Sequence, residues 1–305
     1  RTRMMPMTPP PTRPTVLLAA GLAIALAGCG KPPEATKADP AKAPPGPTAG
    51  PAAPPAPAGP AGPTDASSVA AEKFAQSLVA GAADPNKLSV PFLKAVGLPV
   101  LAAEDKAKGY SLSAAQLWLN RAGAELGKLG PLGLPTGFTA GGTAVFVSPV
   151  GAGRYSLRMV QADGAWKVDW FGVGTAKAND VEKPKTADEA FQDFAVLAFL
   201  DAISGTATPR DDRVPLAAAV LSAGTREKWA APFPADKDQG LGYNQAKLGQ
   251  IMDGFGGGAT AVTRTRTGAD SFKVEITKDG ATRAFAAKLV RTPAGEWVID
   301  EFKGE

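Results

Sequence analysis

The sequence predicts an α+β fold in which one helix-first, sheet-last unit occurs twice, at residues 65–176 and 187–305. Three observations support this prediction. Amphipathic helical spacing recurs at the start of each unit, and a strand–turn–strand pattern containing a Trp recurs at its end. A Pro-rich tract precedes the first unit and separates it from the N-terminal segment.

The first 28 residues have the composition of a signal peptide. Arg1, Arg3 and Arg13 make the start of the segment positive, and no acidic residue occurs in it. Residues 16–27 (VLLAAGLAIALA) form an unbroken small and apolar run, which is short of the about 20 residues that a membrane-spanning helix needs. We therefore expect residues 1–28 to be a signal peptide that is removed.

Leu26, Ala27 and Gly28 lead directly to Cys29. This motif resembles the lipobox of bacterial lipoproteins, in which signal peptidase recognises a Leu and two small residues before a Cys. The resemblance implies that Cys29 carries lipid and holds the protein in the cell envelope, at the periplasmic face of either membrane or at the cell surface. A short buried helix with an ordinary Cys is the alternative, but the prolines at 32–33 leave no folded domain for that helix to open.

After the Cys, residues 31–64 contain 12 Pro, with Ala, Gly and Thr between them. Such a tract buries too little apolar surface to offset the entropy of ordering. We expect residues 29–64 to be a disordered, lipid-anchored tether.

Each unit begins with the apolar stripe of an amphipathic helix. In the first unit the stripe consists of Ala71, Phe74, Ala75, Leu78 and Ala82. In the second unit the same spacing is repeated by Phe191, Phe194, Ala195, Ala198 and Ala202. Thr186 and Glu189 have the spacing of a capping box at the start of this second helix.

Further matches keep the same order along both units. Pro91–Val96 matches Pro215–Val220, and Gly109-Tyr110 matches Gly242-Tyr243. Shared order with small insertions is what a duplicated domain produces. The polar segment 175–185 between the units predicts a linker.

The closing hairpin is the clearest match, because residues 160–171 and 290–302 both read as strand, Gly-containing turn and strand. Trp166 and Trp297 then occupy equivalent places, and we expect both to be buried in the core of their sheets. The helix-first order and this final strand resemble the nuclear transport factor two-like superfamily, also called cystatin-like or ketosteroid-isomerase-like. The resemblance implies a curved antiparallel sheet wrapped around helices as a cone in each unit, and an intrachain pseudo-dimer through the sheets.

Charge and composition exclude several classes of function. The formal net charge is +4 with no His and one Cys. Three of those positive charges lie before Cys29, so the mature chain is close to neutral and offers no electrostatic basis for binding nucleic acid. Without His, neither a Ser-His-Asp nor a Cys-His arrangement can form. We expect no catalytic residue, no metal site and no cofactor.

Two aspartates deserve comparison with the superfamily's acid-lined cones, because Asp169 and Asp300 occupy equivalent positions. On a regular strand Trp166, Val168 and Trp170 share one face, which places Asp169 on the other. We therefore expect these acids to be solvated or locally paired rather than to act as a base.

Other candidate residues give weaker signals. Tyr110, Trp118 and Tyr243 could line a small-ligand cavity, although large aromatic residues more often fill a core. Arg264 and Arg266 alternate on a predicted strand and could contact anionic envelope material, although an outward-facing charged strand is commoner.

The sequence thus favours a non-catalytic, membrane-anchored envelope lipoprotein whose tandem domains bind a protein or polymer partner. A cone domain that binds a small ligand or has weak enzymatic activity is the alternative, and a structural spacer is the second. Fold alone does not choose between them.

Overall fold

The computed structural model describes residues 65–100, 102–151, 153–180, 183–205, 209–232 and 241–305. The predicted signal peptide, Cys29 and the tether lie outside these residues. Within the described ranges, no helix is long and apolar enough to span a bilayer.

The first half contains helices followed by a sheet. Its helices are α1 (Asp65–Val79), α2 (Val90–Val96), α3 (Ala103–Lys106) and α4 (Leu112–Leu129), with a 3-10 turn at Pro85–Lys87. Its strands are β1 (Thr136–Ala140), β2 (Thr143–Val150), β3 (Gly153–Ala162) and β4 (Ala165–Gly174). The four strands pair in sequence order, and every pair is antiparallel.

The second half repeats this order after one added strand. That strand is β5 (Lys177–Asp180), and the helices are α5 (Ala187–Ser204), α6 (Arg210–Ala219), α7 (Ala223–Trp229) and α8 (Gln245–Gly256). The remaining strands are β6 (Ala261–Arg266), β7 (Ser271–Lys278), β8 (Ala281–Arg291) and β9 (Trp297–Gly304). The protein is therefore an α+β structure with two predominantly antiparallel sheets.

Strand β5 corrects the prediction that residues 175–185 are only a linker. Lys177 pairs with Ala261, so β5 lies parallel to β6 at the edge of the second sheet, whereas β6–β9 are antiparallel. The sequence signal was weak because the strand is short and polar.

Two tight turns follow from Asp-Gly pairs. Asp163 and Gly164 connect β3 to β4, and Asp279 and Gly280 connect β7 to β8. All four residues have positive φ, between 51° and 77°. A two-residue turn with both residues in this region has the twist that joins antiparallel strands, which confirms the predicted β3–β4 hairpin.

Helix α5 is the centre of the structure. Nearly all of it is buried, from Ala190 to Ser204, as expected of a helix that is apolar on most of its surface. It packs against β1–β4 of the first sheet, β9 of the second sheet, and helices α6 and α8. Phe194 meets Trp170 of β4 edge to face, while Phe199 meets Phe302 of β9. Both halves therefore share one continuous core.

The start of α5 confirms the predicted capping box in a shifted form. The Thr186 hydroxyl accepts from the backbone N–H of Glu189 at 3.2 Å. The Glu189 carboxylate reaches back to the backbone N–H of Lys185 at 2.7 Å, one residue before the position in a standard box.

Aromatic side chains fill the space between helices and sheet in each half. In the first half these are Phe74, Phe92, Trp118, Tyr155 and Phe171. In the second half they are Phe199, Trp229, Phe255, Phe285 and Phe302. The space between helices and sheet in each half is therefore occupied by packed aromatic rings.

Candidate functional site

A β-bulge in β4 determines which side chains face the first core. Arg158 pairs with Trp170 and Met159 pairs with Val168, which leaves Asp169 as the extra residue. A bulge reverses the alternation of side chains beyond it. Phe171 therefore joins the aromatic core of the first half, and Trp170 points to α5. The expectation that Trp166, Val168 and Trp170 share one face is wrong for this reason.

Strand β9 has the same irregularity. Lys288 pairs with Glu301 and Leu289 pairs with Ile299, so Asp300 is the extra residue. The two acids that the sequence placed at equivalent positions are therefore both bulge residues.

Each bulged carboxylate accepts a hydrogen bond from the serine that caps a nearby helix. Ser89 caps α2 and donates to Asp169 at 2.6 Å. Ser222 caps α7 and donates to Asp300 at 2.7 Å. The backbone repeats the arrangement, since the N–H of Ser89 donates to the Val168 carbonyl at 2.7 Å and that of Ser222 to Ile299 at 2.8 Å. We call each Ser–Asp pair a cap–bulge latch.

The two latches differ in burial. Asp169 is only 7% exposed and also accepts from Arg158, at 2.8 Å from Nε and 2.7 Å from Nη2. Asp300 is exposed. Both acids are thus held by local hydrogen bonds, and neither lies in an enclosed cavity.

These latches also bear on how the helices of the two halves compare. The residue that follows α2 accepts from the cap of α4, since the backbone N–H of Ser111 donates to the Gly97 carbonyl at 2.8 Å. In the same way, the residue that follows α7 accepts from the cap of α8, since the backbone N–H of Asn244 donates to the Ala230 carbonyl at 2.9 Å. By these contacts α2 resembles α7, whereas the sequence matched Pro91–Val96 of α2 to Pro215–Val220 of α6. Helix α6 begins with four charged residues, Arg210–Arg213, and only its second part, from Val214 onward, has the small apolar residues that resemble α2.

Helix α6 lies where the halves meet, and Pro215 shapes it. A proline inside a helix lacks the N–H that would bond four residues back. The carbonyl left free, that of Asp211, accepts from the Gln245 side chain at 3.1 Å. Near its C-terminus, the Leu216 carbonyl accepts from the Trp170 indole of β4 at 3.0 Å. Helix α6 thereby contacts both halves.

Trp166 and Trp297 lie on the predicted strands, but they are not buried in the core as expected. Trp166 lies opposite Gln161 and Trp297 opposite Arg291. Both indoles are half-buried rather than in the core, and Trp297 donates to Asp188 at 2.9 Å.

Arg264 and Arg266 face the protein instead of solvent. Both bind the Asp193 carboxylate of α5, at 3.1 Å and 2.9 Å, and Arg266 also lies 4.5 Å from the centre of the Phe272 ring. Burial raises the pKa of Asp193, and the two guanidinium groups oppose that effect. The prediction that Arg264 and Arg266 lie on an outward-facing charged strand is therefore wrong. Their partner Asp193 is 71 and 73 positions away in the sequence, so no local pattern could identify it.

A buried ion pair also joins the two halves. Arg154 of β3 binds Asp201 of α5, which also accepts from Ser156 at 3.0 Å. Burial raises the pKa of Asp201, while Arg154 and Ser156 oppose the shift. Desolvation is the larger effect because both partners are almost fully buried.

Two adjoining cavities lie at the seam between the halves. One cavity of about 520 Å³ adjoins another of about 490 Å³. Both are lined by Ala95, Leu98, Pro215, Leu241 and Tyr243. We call the two cavities together the seam groove.

Each end of the seam groove has its own charged residues. At the first end, Arg121 of α4 binds Asp212 of α6 through two bonds of 2.7 Å. The second end is lined by Lys94, Arg158, Asp169, Arg226 and Glu296. These residues come from both halves and are far apart in sequence.

Two of the three predicted pocket residues line this groove. Trp118 and Tyr243 do so, although they are only 3% and 5% exposed. Tyr110 packs half-buried against the core and is not a lining residue. No local sequence pattern indicates Lys94, Arg121 or Arg226 as site residues, because their positions depend on long-range packing. Among the described residues, no His, Cys, Asp and Glu side chains gather in a group that could hold a metal ion.

No protein-family model and no curated protein matches the chain. Among solved structures, the chain is similar to a cystatin-like protein from Ruminococcus gnavus ATCC 29149, at 12% sequence identity. The match covers 78% of this chain and 93% of that chain, with a TM-score of 0.21. A score this low carries no argument, so the α+β assignment rests on the strand pairing and helix packing described above.

Proposed function

We propose that this protein is a lipid-anchored envelope protein that binds a protein or polymer partner in the seam groove and performs no catalysis. The observation that carries the proposal is the groove itself, which adjoins two halves whose interiors are filled with aromatic rings. A concave surface with apolar walls and a few charged groups is the usual form of a binding site.

The anchor is proposed from the sequence. Leu26, Ala27 and Gly28 before Cys29 support cleavage and lipidation at that Cys, and residues 31–64 would serve as the tether. Lipid on Cys29 would hold the binding domain at the membrane surface, within reach of envelope partners.

We also infer that the halves are two cone-like domains that arose by duplication. The matched latches of Ser89–Asp169 and Ser222–Asp300, and the positive φ of Gly109 and Gly242, support this inference. The predicted pseudo-dimer would then be formed by the first sheet on helix α5, and helix α6 would be an insertion that builds one wall of the groove.

Site-specific photocrosslinking in living cells tests the binding role. A benzoylphenylalanine at Leu98, inside the groove, should give a discrete adduct with an envelope component. The same probe at Leu134, which is 78% exposed and outside the groove, should not give that adduct. Absence of any adduct specific to Leu98 would contradict the proposal.

A further inference from the structure

One end of the seam groove carries two cations that form no ion pair within the described residues. Lys94 of α2 is exposed and Arg226 of α7 is half-buried, and both line the same cavity. Arg226 donates from Nη1 to the backbone carbonyl of Ala218 at 3.0 Å. Its other N–H groups are available to a ligand, since a guanidinium has five donors.

The acids in the same cavity do not neutralise these two cations. Asp169 and Glu296 both pair with Arg158, at 2.7 Å and 3.6 Å. Arg158 is therefore compensated, and the three cations and two acids of this end leave a net charge of +1, with Lys94 and Arg226 as its cations unpaired among the described residues.

At the other end of the seam groove, negative charge exceeds positive charge among the lining residues. Arg121 and Asp212 compensate each other in a bidentate pair. Asp211 also lines this end and is exposed, and its contact with Arg210 is long, at 3.8 Å. Between the ends, the shared walls are mainly apolar, with Leu98, Pro215 and Leu241 among them.

We propose that the seam groove takes an extended acidic peptide segment of a protein partner, with a carboxylate between Lys94 and Arg226 and apolar side chains along Leu98 and Pro215. This proposal rests on the proposed function and narrows its partner to a protein. Charge complementarity selects the direction of the segment, since its carboxylate avoids the end that holds Asp211. The apolar walls supply contact area that a free anion would not use.

A random-hexapeptide phage library, selected on the lipid-free full-length mature chain, provides the probe. Enriched peptides should contain Asp or Glu beside apolar residues. Binding of the best synthetic peptide, measured by fluorescence anisotropy, should weaken about tenfold or more in Lys94→Glu/Arg226→Glu. The control Lys228→Glu, on the exposed side of α7 and outside the groove, should bind as the wild type does.

A charge-reversed peptide makes the test independent of folding. With its acid replaced by Lys, the peptide should bind the wild type poorly and bind the double variant better. No enrichment of acidic peptides, or equal affinity for wild type and double variant, would overturn the proposal. If the Leu98 crosslink survives in the double variant, the groove binds a partner but the acidic contact is wrong. If the Leu98 probe gives no adduct even in the otherwise wild-type protein, the proposed function itself is contradicted.

Discussion

The hydroxyl of Ser89 lies 2.6 Å from the carboxylate of Asp169 and ties the start of helix α2 to the bulge of strand β4. The hydroxyl also accepts from the Phe92 backbone N–H at 3.2 Å, so one side chain closes the helix and holds the strand. Ser222 has the same two roles toward Asp300 and Thr225.

Ser89→Ala should destabilise the protein more than Ser222→Ala. Loss of a cap costs about 1 kcal/mol, and a buried acceptor that loses its donor adds about 1–3 kcal/mol. That second cost applies to Asp169 and not to exposed Asp300, which water can solvate. Urea unfolding of both variants measures the difference. Equal losses would show that burial of Asp169 is not what distinguishes the latches.

Replacing the two acids should produce a larger difference in stability than replacing the two serines. Asp169→Ala leaves Arg158 buried without its main partner, which costs about 3–5 kcal/mol. Asp300→Ala removes an exposed acceptor and should cost less than about 1 kcal/mol. Thermal unfolding followed by circular dichroism compares the two. If Asp169→Ala is as stable as the wild type, the pairing with Arg158 contributes nothing.

The ion pair of Arg154 and Asp201 should follow the pattern of a fully buried pair. Either single variant, Arg154→Met or Asp201→Leu, leaves a buried charge and should cost about 3–5 kcal/mol. The double variant should recover most of that loss, since apolar residues of similar volume often replace a buried pair without cost. A double-mutant cycle gives the coupling energy. Additive losses would contradict this account.

The same pair predicts a dependence on pH. The folded-state pKa of Asp201 is raised by burial, so the folded protein holds this proton to a higher pH than the unfolded chain does. Asp201 therefore contributes most to the free energy of unfolding below its ordinary pKa of 3.8. That contribution falls as the pH rises from there through the raised pKa. Asp201→Leu/Arg154→Met should lack this fall. A wild type whose stability relative to the double variant rises over that range would contradict the direction.

Helices α1 and α4 cross at a glycine. A Cβ on Gly123 would lie 2.1 Å from the Leu78 carbonyl oxygen, whereas one on Gly127, one turn along α4, would meet only Val79 Cγ1 at 3.9 Å. Gly123→Ala should separate the helices and cost about 1–3 kcal/mol. Gly127→Ala should be neutral or gain up to about 1 kcal/mol from helix propensity. Chemical denaturation distinguishes them, and tolerance of Gly123→Ala would argue against this close approach.

Local patterns predicted the elements better than their relations. The Asp163-Gly164 turn and the Thr186 cap depend on adjacent residues, so the sequence was sufficient to find them. The face on which each β4 side chain lies was not predictable from simple alternation. Asp169 is an extra residue without a cross-strand partner, and it reverses the alternation after it. The sequence matched α2 to α6 because small apolar residues recur in both.

The groove depends on contacts that no local pattern contains. Arg121 meets Asp212 across 91 positions of sequence, and Lys94 and Arg226 come together only when α2 and α7 flank the seam. Trp118 and Tyr243 were identifiable as aromatic candidates, but their neighbours follow from packing of the two halves on α5.

Metabolic labelling at Cys29 tests the central claim most directly. Cells expressing the protein with its natural leader should incorporate labelled palmitate, and the mature protein should sediment with membranes. Cys29→Ala should abolish the label and block cleavage before residue 29, while Cys29→Ala protein keeps the far-UV circular dichroism of the folded domain. A wild type that never takes up palmitate, or a Cys29→Ala variant that still does, would contradict the account of a lipid-anchored envelope protein.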